Sequence, residues 1–153
     1  MHTVETNGKA VQTGPLMARM AYQYREDVMP FINHGPVEMF NVLSRIPFRE
    51  DRPGYEVLQR PWLTLMYEGY GGDCDDKAIA MASWAILNNV PFRFVAVRRA
   101  HRRQLHHVYT ELYIQGKWVP FDPTFRFNLP GRTLNHYQER VVIWPSKQTR
   151  RKN

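Results

Sequence analysis

One stretch of the sequence, Gly71-Gly72-Asp73-Cys74-Asp75-Asp76-Lys77-Ala78, predicts both a helix and a reactive side chain. The glycine pair is typical of a turn, Asp73 suits an N-cap, and the carboxylates that follow suit the positive end of the helix dipole. Apolar residues then recur at helical spacing as far as Ile86, and Asn88-Asn89-Val90-Pro91 is a good helix stop. We therefore predict that Cys74 lies in the first turn of a helix.

Cys74 is the single cysteine of the chain. Unpaired N–H groups at a helix start stabilise a thiolate, whereas neighbouring carboxylates raise the pKa of a thiol. A lone cysteine is most often an inert buried residue, so reactivity requires partners. The partners expected for a cysteine nucleophile are a base and a group that orients the base.

Two antiparallel strands are predicted after this helix, joined by a tight turn at Gln115-Gly116. Their pairing brings His107, at the start of the first strand, close to Asp122, at the end of the second. The offset between them is one that a diagonal contact or a bulge absorbs. His106 faces the opposite side of its strand. We therefore predict a catalytic site made of Cys74, His107 and Asp122.

The order of these residues resembles the transglutaminase-like superfamily, a branch of the papain-like cysteine enzymes. The segments that carry the resemblance are Gly72–Ala78, Asn88–Pro91, His107–Glu111 and Gly116–Thr124. The lead-in segments Asp51–Glu56 and Gln59–Leu65 are similar to those of phage and bacterial members. The resemblance covers about residues 50–125 of the chain.

This resemblance implies an α+β fold with a papain-like core, in which the nucleophile helix packs on an antiparallel sheet. It also implies acyl transfer on an amide or ester, of peptidase, amidase or transglutaminase type. Cys74 would be the nucleophile, His107 the general base and acid, and Asp122 the group that orients His107. The backbone N–H of Cys74 is the predicted oxyanion donor, and Gln59 and Trp62 are candidates for a second donor.

Composition predicts one domain that needs no disulfide. The chain has 153 residues, of which 43% are apolar, and this suffices for one sizeable core. We predict a disordered segment over residues 1–14, a single domain over 15–145 and a basic tail over 146–153. No apolar run is long enough to cross a membrane and no signal peptide is evident, so we expect a cytoplasmic protein with no membrane partner.

The remaining pattern predicts further helices and strands around this core. The predicted helices are Pro15–Val28 and Val37–Leu43, and the predicted strands are Phe92–Val97, His107–Ile114, Lys117–Asp122 and Val141–Trp144.

Positive charge is concentrated in the C-terminal part of the chain. Residues 1–92 carry 8 Lys/Arg against 11 Asp/Glu, whereas residues 93–153 carry 13 against 3. A loop at 98–103 holds four arginines, and Arg150-Arg151-Lys152 lie in the tail. A solvated loop and tail is the simpler interpretation, and contact with nucleic acid or another polyanion is the alternative.

Two functions from different classes remain open. The first is a cysteine hydrolase or acyltransferase that acts on a protein or peptide amide, and the filled catalytic positions favour it. The second is a non-catalytic structural or adaptor protein that keeps the fold, such as a virion-associated part of a phage particle. No cofactor is expected, and a metal site is disfavoured because alternation along the strand separates His106 from His107.

Overall fold

The computed structural model describes residues 3–6, 10–51, 56–134 and 136–145. The predicted basic tail therefore lies outside the described residues. The helices are α1 (Ala10–Gln23), α2 (Pro36–Ser44), α3 (Pro61–Met66) and α4 (Cys74–Leu87), with a 3₁₀ helix at Arg25–Phe31. The strands are β1 (Thr3–Thr6), β2 (Glu56–Gln59), β3 (Phe92–Arg98), β4 (His107–Ile114), β5 (Lys117–Phe121) and β6 (Glu139–Ile143).

A four-stranded antiparallel sheet with the order β5-β4-β3-β6 forms one layer of the molecule. The helix α4 packs on this sheet and contacts α1, α2, α3 and the 3₁₀ helix as well. It is buried almost all round, from Asp75 to Ala85, and its alanines let these neighbours approach closely. The predicted α+β fold, with the nucleophile helix packed on an antiparallel sheet, is confirmed.

The main core lies between α4 and the sheet, and a smaller apolar cluster covers the opposite face of the sheet. Side chains of β4 alternate between them, so that Val108 and Leu112 enter the main core while Tyr109 joins the smaller cluster. None of the helices within the described ranges is long and apolar enough to cross a membrane.

The described part of the segment 1–14, which the sequence predicts to be disordered, contains β1 and the start of α1. Strand β1 pairs antiparallel with β2, with Thr3 opposite Gln59, and α1 already begins at Ala10. A short polar strand shows no local periodicity, and its partner lies more than fifty residues away in the sequence. Gly14 lies inside α1, where an added Cβ would approach Ile143 Cγ2 to 2.6 Å.

The hairpin of β4 and β5 agrees with the prediction. Its two turn residues, Gln115 and Gly116, have φ values of 52° and 81°, the left-handed region that a two-residue hairpin turn requires. Strand β6 begins two residues earlier than predicted because Glu139 pairs with Arg98 at the end of β3.

Candidate active site

Helix α4 begins with a capping box made of two carboxylates. Asp73 Oδ1 accepts hydrogen bonds from the backbone N–H of Asp75 at 3.1 Å and of Asp76 at 3.3 Å. In return, Asp76 Oδ2 accepts from the backbone N–H of Asp73 at 3.0 Å. Asp76 Oδ1 also accepts from the backbone N–H of Gln59 at 2.9 Å. Two of the three aspartates around Cys74 therefore hold the helix start and connect it to β2.

The turn that leads into α4 requires its two glycines. Gly71 has a φ of +81°, and an added Cβ there would lie 2.5 Å from Pro47 O. The backbone N–H of Gly72 donates to Pro47 O at 3.0 Å, and Gly72 O accepts from the backbone N–H of Arg49 at 3.0 Å. The turn therefore fixes the position of Cys74 relative to Pro47 and Arg49.

His107 and Asp122 form a buried pair. His107 Nε2 lies 2.7 Å from Asp122 Oδ2, and the two side chains are 6% and 0% exposed. In the strand register, Thr110 is opposite Phe121, so the position opposite Asp122 is Tyr109. His107 is two residues further along the same face and reaches Asp122 diagonally. This is the diagonal contact that the sequence predicts.

The loop after β5 fixes the position of Asp122 through hydrogen bonds to the Asp122 oxygens that do not contact His107. Asp122 Oδ1 accepts from the backbone N–H of Thr124 at 3.2 Å, and Asp122 O accepts from Asn128 Nδ2 at 2.9 Å. Asn128 is itself buried and donates to Arg132 O at 2.8 Å. Sequence reasoning missed Asn128, because nothing in its local pattern distinguishes it from an ordinary loop residue.

Aromatic rings enclose the His107 imidazole. The ring centroids of Phe125, Tyr109 and Tyr137 lie 5.2, 6.1 and 6.4 Å from that of His107. This packing restricts rotation of the imidazole. Because Nε2 is engaged by Asp122, Nδ1 is the nitrogen that remains for proton exchange with a thiol.

Cys74 is the first residue of α4, as predicted, and it is half-buried against the main core. Burial raises the pKa of its thiol well above the ordinary value, and the charges of Asp75 and Asp73 raise it further. The backbone of Val108, the residue directly after His107 in β4, is near enough to the sulfur to lower this pKa in part. The resting thiol is therefore protonated near neutral pH.

A buried lysine lies one turn after the cysteine. Lys77 is 1% exposed, and its Nζ donates to Ile46 O at 2.8 Å. Burial lowers the pKa of Lys77 to about 8, while the charges of Asp122 and Cys74 oppose this shift. Lys77 therefore places a positive charge beside the site, and sequence reasoning gave no sign that this residue is buried.

The structure assigns a different role to one candidate oxyanion donor. Gln59 Nε2 donates to Thr64 Oγ1 at 3.1 Å and to Gly71 O at 3.0 Å, so both of its amide hydrogens are occupied. Gln59 therefore supports the glycine turn. Trp62 donates its backbone N–H to Asp27 Oδ2 at 2.9 Å, and its role as a donor stays a prediction.

Within the described residues, no group of three or more His, Cys, Asp or Glu side chains is arranged to hold a metal ion. His106 does not join the pair made by its neighbour His107. Burial and the charges of Arg102, Arg99 and His107 lower the pKa of His106 to about 4, and a hydrogen bond with the backbone of Gln104 opposes this shift.

Comparison with known proteins agrees with this arrangement at the level of the family. Residues 39–123, more than half of the chain, match the sequence profile of the transglutaminase-like superfamily. Among solved structures, the chain is similar to a candidate cysteine protease from Cytophaga hutchinsonii, with 14% sequence identity and a TM-score of 0.43. That similarity covers 90% of the chain, which spans 52% of the other protein. No curated protein matches the chain.

Proposed function

The chain belongs to the transglutaminase-like superfamily, and we propose that it is a cysteine-dependent enzyme that transfers an acyl group from an amide bond. The observation that carries this proposal is the buried pair of His107 and Asp122, with 2.7 Å between Nε2 and Oδ2. The sulfur of Cys74 lies near Val108, at the end of β4 that also holds His107, and this supports Cys74 as the nucleophile. A nucleophile, a base and an orienting group are the three parts that acyl transfer requires.

The protonated thiol determines how the first step proceeds. His107 Nδ1 takes the thiol proton of Cys74 while the sulfur attacks the carbonyl carbon, a C–S bond forms and the carbonyl electron pair moves to oxygen. The imidazolium donates from Nε2 to Asp122, which stabilises its charge. When the C–N bond breaks, His107 gives its proton to the leaving amine and a thioester remains on Cys74.

Resolution of the thioester distinguishes hydrolysis from transamidation. Water or a primary amine loses a proton to His107 and bonds to the carbonyl carbon, and the sulfur of Cys74 leaves and regains a proton. The developing oxyanion in both steps is assigned to the backbone N–H of Cys74, since the first N–H groups of a helix have no partner within the helix. Both outcomes use the same three side chains.

The proposal is tested with 4-nitrophenyl acetate, an activated ester that needs no specific binding pocket. We expect a burst of 4-nitrophenolate and an acetyl adduct on Cys74 detectable by mass spectrometry. Both should disappear in Cys74→Ala, and the acylation rate should fall on the order of 10²-fold in His107→Ala and Asp122→Asn. His136→Ala, which changes an exposed histidine outside the site, is the matched control. Equal acylation rates in wild type and His107→Ala would overturn the proposal.

Addition of a primary amine separates the two reaction types. With a glutamine-containing peptide and excess glycine ethyl ester, transamidation joins the glutamine side chain to the amine of glycine ethyl ester through a new amide bond, and hydrolysis gives the free acid. The ratio of the two products measures access of water to the thioester.

The alternative of a non-catalytic protein that keeps the fold is favoured by one observation, the raised pKa of the Cys74 thiol. On this alternative, Cys74→Ala leaves assembly with a larger particle unchanged, and the wild-type protein shows no burst. Association with a phage particle stays a prediction, and so does a cytoplasmic or virion-associated location.

A further inference from the structure

One buried lysine near the candidate nucleophile has no part in the mechanism above. Lys77 is 1% exposed, and its Nζ donates to a neutral acceptor, Ile46 O, at 2.8 Å. Lysines are almost never fully buried unless they are paired, because burial of a charge is costly. A position close to the start of a helix adds to this cost, since the helix dipole disfavours a cation there. A lysine placed against both effects is a candidate for a functional role.

The Lys77 side chain ties the start of α4 to the segment beside the glycine turn. Its hydrogen bond reaches Ile46 O, and the carbonyl oxygen of the next residue, Pro47, accepts from the backbone N–H of Gly72 at 3.0 Å. Gly72 lies two residues before Cys74 in the chain. The ammonium is therefore anchored at the N-terminal end of α4, which is the end that holds the thiol.

Helix geometry places Lys77 beside Cys74. The two are the fourth and the first residues of α4, and residues three apart on a helix are neighbours, with about 5–6 Å between their Cβ atoms. Side chains on a helix incline toward its N-terminus, so the lysine stem runs toward the turn that holds the thiol. In agreement with this placement, burial lowers the pKa of Lys77 to about 8 while the charges of Asp122 and Cys74 oppose the shift.

The ammonium contributes a positive charge to a helix start that is rich in carboxylates. Burial raises the pKa of the Cys74 thiol, and the charges of Asp75 and Asp73 raise it further. A neighbouring cation acts in the opposite direction, because it attracts the thiolate. The other titratable groups of the site, all buried, lie at the helix start and on the hairpin: Asp73, Asp75, Asp76, Asp122 and His107.

We propose that Lys77 is a positioning residue for the nucleophile: its ammonium anchors the start of α4 on Ile46 and supplies the positive charge that favours the thiolate of Cys74. The inference rests on the proposed function and deepens it, because it concerns how the thiol of that mechanism becomes reactive. The ammonium keeps its proton and forms no bond with the substrate. Its charge offsets the carboxylates beside the sulfur while His107 takes the thiol proton.

The pH profile of Cys74 alkylation by iodoacetamide tests this proposal, because only the thiolate reacts. While Lys77 is protonated, the rate should grow about tenfold per pH unit. As Lys77 loses its proton near pH 8, the thiolate loses its stabilising charge, so on a logarithmic scale the rate should grow more slowly before its main rise at higher pH. The wild type shows this break without any substitution. A profile with no break between pH 7 and pH 10 would overturn the proposal.

Lys77→Met removes the charge and keeps an unbranched side chain of similar length, which a buried position tolerates. Its alkylation rate at pH 7 should fall roughly tenfold, which corresponds to one unit in the pKa of the thiol. Its profile should lack the break and approach that of the wild type near pH 10, where Lys77 is neutral. Lys117→Met, the same change at an exposed lysine of β5, is the matched control. Identical profiles for Lys77→Met and the wild type would reject the proposal.

Lys77→Arg separates the charge from its titration. A guanidinium stays protonated throughout this pH range, so the rate at pH 7 should stay within about threefold of the wild-type rate and the break near pH 8 should be absent. Urea denaturation checks that each variant is folded. An equal loss of rate in folded Lys77→Arg and Lys77→Met would show that the packing of this side chain matters and its charge does not, which rejects the proposal.

Failure of the proposed function has a different signature, because alkylation requires no acyl transfer. An absent 4-nitrophenyl acetate burst, together with a break near pH 8 that Lys77→Met removes, rejects the enzyme and leaves the effect of Lys77 on the thiol in place.

Discussion

At the residue scale, the chemistry of Cys74 is decided by opposing influences on one thiol. A helix start is worth about 0.3–1 kcal/mol for an adjacent anion, less than one pKa unit. Burial alone shifts a pKa by up to about 3–5 units, and here the carboxylates of Asp75 and Asp73 add to it. The helix start therefore does not by itself produce a thiolate, and for this reason the proposed mechanism has His107 accept the proton during attack.

The raised thiol pKa predicts an unusual pH profile for alkylation. Because iodoacetamide reacts with the thiolate, its rate with Cys74 should rise only above the range of an ordinary thiol, about pH 8.5. Asp75 Oδ1 lies 3.8 Å from the sulfur, so Asp75→Asn should move the inflection to lower pH. Glu68→Gln, at an exposed site, should leave it unchanged. An inflection at or below that of a free thiol would contradict the prediction.

How far the site could be predicted differs between residues. The pairing of His107 with Asp122 follows from counting residues on each side of a two-residue turn, which the sequence contains in full. The burial of Lys77 does not, because a lysine in the first turn of a helix is ordinarily exposed. The contact of Asn128 with Asp122 depends on how the loop after β5 folds, and no local pattern records this.

At the element scale, α4 could be predicted and β1 could not, for one physical reason. The helix is specified by its own sequence, through a cap, a carboxylate-rich first turn and an apolar repeat. Strand β1 exists because β2 pairs with it, and this pairing joins segments that are distant in the chain. The early start of α1 likewise depends on packing, since Gly14 is tolerated in the helix where it contacts Ile143.

The turn before α4 predicts a specific cost of adding one methyl group. Gly71→Ala should lower the free energy of unfolding by about 2–4 kcal/mol, because the left-handed φ is strained for alanine and the Cβ would lie 2.5 Å from Pro47 O. Gly69 has a similar φ of +77° with nothing within 4 Å, so Gly69→Ala isolates the strain and should cost about 1 kcal/mol. Urea denaturation measures both. Equal losses would show that the contact with Pro47 contributes nothing.

The capping carboxylates predict that stability depends on pH. Burial, together with the charge of Asp51, raises the pKa of Asp73 to about 7 from an ordinary value of 3.8. The folded state therefore keeps a proton that the unfolded state releases, and this contribution to stability is lost as the pH rises through about 7. Burial and the charge of Asp73 also raise the pKa of Asp76 well above its ordinary value.

Asp73→Asn isolates this contribution, because asparagine is also a good N-cap but does not titrate. Urea denaturation between pH 5 and pH 8 should show the unfolding free energy of the wild type falling more steeply than that of Asp73→Asn. Glu50→Gln, at an exposed carboxylate, should keep the wild-type slope. Parallel curves for the wild type and Asp73→Asn would refute the assignment.

At the scale of the whole molecule, the site lies where two oppositely charged parts of the chain meet. The part before the sheet carries 8 Lys/Arg against 11 Asp/Glu and supplies Cys74, while residues 93–153 carry 13 against 3 and supply His107 and Asp122. The candidate site thus joins residues from the acidic and the basic parts of the chain.

The sheet is held on its outer face by a network centred on Glu111. Its Oε1 is 2.7 Å from Arg93 Nη2 on β3, and its Oε2 is 2.9 Å from Arg140 Nη2 on β6. The Arg93 guanidinium also lies over the rings of Trp118 at 4.4 Å and Trp144 at 5.0 Å. One carboxylate thus connects three strands, with β5 added through Trp118.

Glu111→Gln should therefore destabilise the whole sheet by about 2–4 kcal/mol, since it leaves the Arg93 charge, on a side chain 13% exposed, without a carboxylate. Arg140 is 46% exposed, so water compensates its charge and the loss of its partner adds little to the destabilisation.

The control is Glu139→Gln. The Glu139 carboxylate pairs with Arg98 but is 50% exposed, so its removal should cost at most about 1 kcal/mol. Replacing both partners, in Glu111→Leu with Arg93→Met, should recover much of the stability because no buried charge is then left unpaired. Urea denaturation of the wild type, the two single variants and the double variant measures these differences in unfolding free energy. A double variant less stable than Glu111→Gln would contradict the prediction, because the ion pair itself would then hold the strands together.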